Sequence, residues 1–204
     1  MIVLNDLIQG GDEWMEHRRA CVTASRFKDI VTPAKAELSK SSDKYMYELI
    51  AEKMGAKTES FSNEWMARGN ELEPEARAVY SLISGNDVYE VGMIKTDDEK
   101  IGISPDGLIG EEGGVEIKCP SSPIHIKYLI DGKLPTIYKP QVMGSLWISG
   151  RKWWDFMSFH PELKPFIIRV ERDEEYIKLM EKHILEFVEK MDRVYRGLDE
   201  NQSN

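Results

Sequence analysis

The sequence predicts an α/β sandwich, a mixed central sheet flanked by helices. Two observations lead there. The middle of the chain holds short apolar runs between turn residues, at Val88–Ile94, Ile101–Ser104 and Val115–Cys119, the pattern of strands. Segments with apolar residues at helical spacing stand before, between and after those runs. At 204 residues the chain is long enough to bury a substantial core. Residues 1–204 are therefore expected to form a single domain, with a frayed tail over 200–204.

Taken in order, Thr23 or Ser25 is placed to cap a short helix that stops before Pro33. Pro33 to Ser42 is polar and reads as a loop. Asp43 opens a helix through Tyr45, Leu49, Ile50 and Met54, ended by Gly55. A longer helix runs from about Asn63 to Ile83, with Trp65, Leu72, Ala76, Val79, Tyr80 and Ile83 at helical spacing. Pro74 is expected to kink or divide it. After the three central strands, Ile124–Ile130 and Pro140–Ile148 read as helices. Trp153–Phe159 and Phe166–Glu171 read as two further strands. The last helix runs from about Asp173 to Tyr195, with Tyr176, Leu179, Met180, Ile184, Phe187, Val188 and Met191 as its apolar stripe.

Composition narrows the function classes. No apolar run reaches the roughly 18 residues of a membrane span, so no transmembrane helix is expected. Met1-Ile-Val-Leu-Asn-Asp lacks a basic region followed by an apolar stretch, so no signal peptide is expected and the location reads as cytoplasmic. Two cysteines, Cys21 and Cys119, are too few for a disulfide framework or an iron–sulfur cluster. Both read as buried thiols in a reducing compartment. The four histidines are scattered along the chain, and none is assigned a ligand role. Trp65, Trp147, Trp153 and Trp154 read as core or subunit-contact residues rather than as base-stacking platforms. The net charge of −9 argues against tight non-specific nucleic-acid binding by a monomer. Metal-binding carboxylates are neutralised when loaded, however, and basic groups can line one channel of an acidic protein.

The chemistry concentrates in Ile101-Gly-Ile-Ser-Pro-Asp106-Gly, followed by Gly114-Val-Glu116-Ile-Lys118-Cys. In an extended strand, residues i and i+2 share a face. Glu116 and Lys118 therefore project together toward whatever Asp106 faces. Two converging carboxylates suit a hard divalent cation such as Mg²⁺. A Lys beside them either holds a phosphate or activates a water. Metal-assisted cleavage of a phosphodiester needs that set, and its spacing matches the P-D…E-x-K pattern of a large nuclease superfamily.

Four ordered blocks extend the match: Trp14-Met-Glu-His-Arg18 with Val22-Thr-Ala-Ser25; Arg68-Gly-Asn-Glu71-Leu-Glu73-Pro-Glu75-Ala-Arg77; Ser104-Pro-Asp106 through Lys118-Cys-Pro; and Gln141-Val-Met-Gly-Ser-Leu-Trp147. With these blocks the chain resembles the lambda exonuclease and YqaJ viral recombinase family of alkaline exonucleases, within the P-D-(D/E)-x-K (restriction-endonuclease-like) fold. The likeness reaches from about residue 11 to past residue 190.

The resemblance implies a Mg²⁺-dependent exodeoxyribonuclease that degrades the 5′-ended strand of linear duplex DNA in the 5′-to-3′ direction. Mononucleotides would be released and a 3′ overhang left for recombination by strand annealing. Asp106, Glu116 and the backbone carbonyl of Ile117 are the implied ligands of one metal. Glu73 is the implied ligand of a second, with Glu71 and Glu75 as competitors, and Mn²⁺ is expected to substitute for Mg²⁺. Lys118 completes the catalytic set. Arg18, Ser25, Ser104 and Gln141 are implied to form a pocket for the 5′ phosphate, although Arg18 also suits an ion pair with Glu13 or Glu16. The implied partners are DNA ends, two further copies of the chain in a ring-shaped homotrimer, and a phage single-strand annealing protein in a bacterial host. Two rivals remain: a nuclease of other polarity or endonucleolytic mode (Cas4-like, although that type carries four cysteines), and a non-catalytic DNA-binding or assembly module.

Overall fold

Eight strands of two to six residues and seven α-helices make up the regular structure of the described residues. In this computed structural model the described residues are 1–56 and 64–202. The expected helix start at Asn63 and the last two residues lie outside them, as does the side chain of Trp65. The strands are β1 (Ile2–Leu4), β2 (Val22–Thr23), β3 (Met93–Lys95), β4 (Ile101–Ile103), β5 (Gly107–Ile109), β6 (Gly113–Lys118), β7 (Trp153–Ser158) and β8 (Phe166–Glu171). The helices are α1 (Asp12–Arg18), α2 (Phe27–Ile30), α3 (Ser42–Lys53), α4 (Glu64–Ser84), α5 (Ser122–Asp131), α6 (Lys139–Ser149) and α7 (Glu174–Gln202).

The expected central sheet is divided into two mixed four-stranded sheets, in the orders β1-β3-β4-β2 and β5-β6-β7-β8. Each contains one parallel pair, β2 with β4 and β6 with β7. The chain passes from the first sheet to the second through Ser104, Pro105 and Asp106. Pro105 has no N–H to give to a ladder, so pairing breaks there. Asp106 thereby stands at the junction of the two sheets.

Each sheet has its own apolar packing. Phe27, Met46, Leu49, Met143, Leu146 and Ile184 bury against Ile94, Ile101 and Ile103. On the second sheet, Ala76 and Tyr80 of α4 pack with Ile109, Val115, Ile117, Met157 and Phe159. Each large side chain so buried contributes roughly 1.5–3 kcal/mol. Alternation along β6 sends Val115 and Ile117 to the α4 side, and hence Glu116 and Lys118 to the opposite face. Close approaches hold the layers. A Cβ on Gly114 would lie 2.4 Å from the Trp154 ring, and one on Gly144 would lie 2.6 Å from the Phe27 ring. Trp147 and Trp154 belong to the first apolar cluster and Trp153 packs on the second, as core residues.

Several expectations are corrected. Of Val88–Ile94 only the last two residues are strand; Tyr89 makes an isolated bridge to Leu108. Pro74 does not divide α4, which runs unbroken from Glu64 to Ser84. Burial of Ala76 and Tyr80 beyond the proline offsets the lost backbone bond, worth about 3 kcal/mol. Neither Thr23 nor Ser25 caps a helix; their hydroxyls lie 3.3 Å apart in a 3-10 turn, Ala24–Arg26, that leads into α2. On α7, Ile177 is buried while Leu179 is exposed, and the helix runs to Gln202 rather than ending near Tyr195. Both cysteines are free thiols, but only Cys21 is buried; Cys119 is half-buried. Burial pushes the Cys21 thiol up to about 11. The fold brings two of the scattered histidines together: the rings of His125 and His160 are 6.2 Å apart.

Candidate active site

The site begins with a hairpin whose two strands differ in length. β5 pairs with β6 from Gly107↔Val115 to Ile109↔Gly113 and then ends, so residues 116–118 have no β5 residue opposite. The Asp106 carboxylate takes that place, accepting the Ile117 N–H at 2.5 Å. In a strand, the N–H and C=O of one residue leave by the same edge. The Ile117 carbonyl therefore also faces the open edge beside Asp106. The Lys118 carbonyl leaves by the other edge, where it accepts the Phe159 N–H at 2.8 Å.

Glu116 is 1% exposed. It is ion-paired with Lys118, and it accepts Gln141 Nε2 of α6 at 2.6 Å. Burial, reinforced by the charge of Asp106, pushes Glu116 up to about 8. Burial also raises Asp106 above the usual carboxylate range. For Lys118, burial works against its charge, but Glu116 and Asp106 outweigh it and hold the side chain as an ammonium. The direction is opposite to the depressed pKa that would suit a general base.

Glu73 approaches from α4, on the other face of the sheet. It accepts Arg77 at 2.6 Å. Burial, followed by the charge of Asp106, pushes it up to about 7. Glu71 and Glu75 are exposed. The helix thus turns one of the three acidic residues toward Asp106.

The four residues expected around a phosphate are brought together only in part. Arg18 donates to Ser104 Oγ at 3.1 Å and lies 4.3 Å over the Trp14 ring. Trp14 Nε1 bonds the same hydroxyl and the Gly92 carbonyl, both at 3.1 Å. Glu16 pairs with Arg19, not with Arg18. Ser25 touches Thr23, and Gln141 is engaged by Glu116. Ser104 is two residues before Asp106 in the chain, and this short segment joins the Arg18 contact to the carboxylate cluster. A groove of about 710 Å³ opens on the cluster, lined among others by Gln9, Trp14, Asn70, Glu73, Arg77 and Asp106.

These residues fit a hard divalent cation. Glu73, Asp106 and Glu116 crowd three carboxylates around Lys118; burial raises all three, and the charge of Asp106 adds to the rise of Glu73 and Glu116. Among the described residues no three His, Cys, Asp or Glu side chains form a metal cage by themselves. Mg²⁺ does not require one: it is usually bound through one or two carboxylates and keeps several waters. Asp106, Glu116 and the Ile117 carbonyl would hold it.

Two mixed sheets flanked by helices, with Asp, Glu and Lys at the open end of a hairpin, define the P-D-(D/E)-x-K nuclease fold. The chain belongs to the YqaJ-like viral recombinase family, whose domain model matches residues 13–152. It is similar to the crystal structure of an alkaline exonuclease, LHK-Exo, from Laribacter hongkongensis, with TM-score 0.86 and 36% identity over 95% of this chain and 98% of that one. The same figures hold for that enzyme in complex with dAMP. A phage-related exonuclease from Haemophilus somnus 129PT shares the fold at TM-score 0.70 and 16% identity, over 87% of this chain and 96% of that one. No curated protein matches. Among the described residues no helix is long and apolar enough to cross a membrane.

Sequence reasoning missed Trp14, Gln9 and Arg77 as members of the site. Gln9 bonds the Val91 and Pro105 carbonyls at 2.9 and 2.8 Å, and so fixes the segment before Asp106. All three stand in or near the blocks quoted above. Only the fold reveals what they touch.

Proposed function

We propose that this chain is a Mg²⁺-dependent exonuclease that degrades the 5′-ended strand of linear duplex DNA, working as a single nuclease domain. The observation that carries the reading is the Asp106, Glu116 and Lys118 set built around the buried Glu116, with the Arg18–Ser104 contact two residues upstream of Asp106. The family and the likeness to an alkaline exonuclease support nuclease chemistry.

When bound, Mg²⁺ would polarise the scissile phosphate and lower the pKa of a water to make the nucleophile. The rest falls to the chain. Asp106 and Glu116 supply the anionic oxygens, with Glu73 available to a second ion. Gln141 orients Glu116 through its amide. Lys118, held as an ammonium, places fixed positive charge beside the phosphate that is to be cleaved. Arg18, desolvated and stacked on Trp14, offers a guanidinium fork to a terminal phosphate. A terminal phosphate held there places the next bond over Asp106 and Glu116, which yields mononucleotides and 5′-to-3′ polarity.

The net charge of −9 suits an enzyme that stays on DNA by encircling it, and we extend the proposal to a ring-shaped homotrimer. The 3′ overhang would be the substrate of a phage-type single-strand annealing protein in recombination. Linear duplex labelled at either end, beside closed circular duplex, tests the reading. Mononucleotides should appear first from the 5′ label while the circle stays intact. Release from the 3′ label first, or cleavage of the circle, would refute it.

A further inference from the structure

Arg77 touches two parts of the carboxylate cluster at once. Its Nε donates to the Asp106 carbonyl oxygen at 2.9 Å, and one terminal nitrogen donates to the Glu73 carboxylate at 2.6 Å. The other terminal nitrogen pairs with Glu90 at 2.8 Å. A guanidinium is planar, and its five donors sit in a fixed fork. The three oxygens it holds are therefore set relative to one another. This matters because Glu73 and Asp106 come from different layers, Glu73 from α4 and Asp106 from the link between the two sheets. The Arg77 side chain is 16% exposed and that of Glu90 is 72% exposed. Glu90 is the outer tether, and Glu73 and Asp106 are the inner ones. On the same helix, Arg68 donates to the Cys119 and Pro120 carbonyls at 3.3 and 3.1 Å, directly after Lys118. Two arginines thus latch α4 to the backbone on both sides of the cluster.

We propose that Arg77 is a positioning residue for cation binding, holding the Asp106 turn and the Glu73 carboxylate in one frame so that both serve the same metal cluster. The inference rests on the reading of Glu73 as a ligand. Geometry, not charge, is the essential property: a lysine ammonium is a point charge and cannot span three oxygens in a plane.

Mn²⁺ binding, read from the electron paramagnetic resonance signal of the free ion, tests this on wild type and on Arg77→Lys, Arg77→Gln, Glu90→Gln and Glu73→Gln. Loss of a group that orients metal ligands typically weakens metal affinity by about ten- to a hundredfold. Both Arg77 variants should show that loss, while Glu90→Gln should bind Mn²⁺ like wild type. Melting temperatures without metal separate this from a merely structural role, which would lower stability and leave the Mn²⁺ affinity of the folded protein alone. Wild-type Mn²⁺ affinity in either folded Arg77 variant overturns the proposal. Wild-type affinity in Glu73→Gln removes Glu73 from the ligand set instead. The shared frame for Glu73 and Asp106 then falls with it, whatever the Arg77 variants show, while the nuclease reading stands on Asp106, Glu116 and Lys118.

Discussion

The Asp106 carboxylate accepts the Ile117 backbone N–H at 2.5 Å, so one side chain both closes the open edge of β6 and faces the candidate metal position. Structure and chemistry are separable at this residue. Asp106→Asn keeps an oxygen for the N–H but loses the charge. Asp106→Ala loses both, and an orphaned buried N–H costs about 1–3 kcal/mol. Both variants should lose DNA hydrolysis by orders of magnitude, with only the alanine variant markedly less stable than wild type in EDTA. Equal melting temperatures for the two would dissociate Asp106 from the edge of β6.

The buried carboxylates give stability a defined pH dependence. Glu116 is raised to about 8 and Glu73 to about 7, against ordinary values near 4.5. Between those limits the folded state binds more protons than the unfolded state, so stability falls as pH rises. Mg²⁺ needs the deprotonated oxygens, and its stabilising effect must grow over the same window. Melts in EDTA and in excess Mg²⁺, from about pH 5 to pH 9, should therefore diverge. Glu116→Gln should narrow the divergence. Parallel curves in wild type would argue against metal binding by these groups.

Gln141 bonds Glu116 at 2.6 Å, which separates two roles for it. If its amide serves to orient Glu116, Gln141→Ala should slow hydrolysis about tenfold, the worth of one hydrogen bond to a charged group. The loss should be equal on 5′-phosphorylated and 5′-hydroxyl ends. A loss confined to phosphorylated ends would assign Gln141 to the phosphate pocket instead.

Arg18 should behave in the opposite way. A bidentate contact to a terminal phosphate contributes roughly 1.5–3 kcal/mol, about ten- to a hundredfold in rate. Wild type should prefer phosphorylated ends, and Arg18→Ala should lose most of that preference while still cleaving slowly. Initial rates on the two end types measure it. An unchanged ratio in the variant would take Arg18 out of the pocket.

What the sequence made legible follows from how local each signal is. β6 could be read because Val115 and Ile117 alternate with Glu116 and Lys118 between turn residues, and the structure places those two pairs on opposite faces. α7 could be read because its stripe repeats over many turns. β1, β2 and β5 are two or three residues long, too short for any periodicity, and exist only through their partners. The division into two sheets depends on the absent N–H of Pro105, a residue that reads equally well as part of a turn. Arg77 was visible in the sequence but carried no role, because a charged residue in a charged helical run looks solvated until the fold brings Asp106 to it. Gln141 was expected at a phosphate, and the structure shows it bound to Glu116, which lies 25 positions away in the chain.

The Asp106, Glu116 and Lys118 cluster is proposed to hydrolyse DNA by holding a divalent metal. The most direct test is the rate of mononucleotide release from linear duplex by the purified protein as Mg²⁺ is titrated, and again after chelation with EDTA, for wild type and Lys118→Ala. Release should show saturable Mg²⁺ dependence, stop in EDTA, and be slower by orders of magnitude in the variant. Robust release in EDTA, or a Lys118→Ala rate near that of wild type, would contradict it.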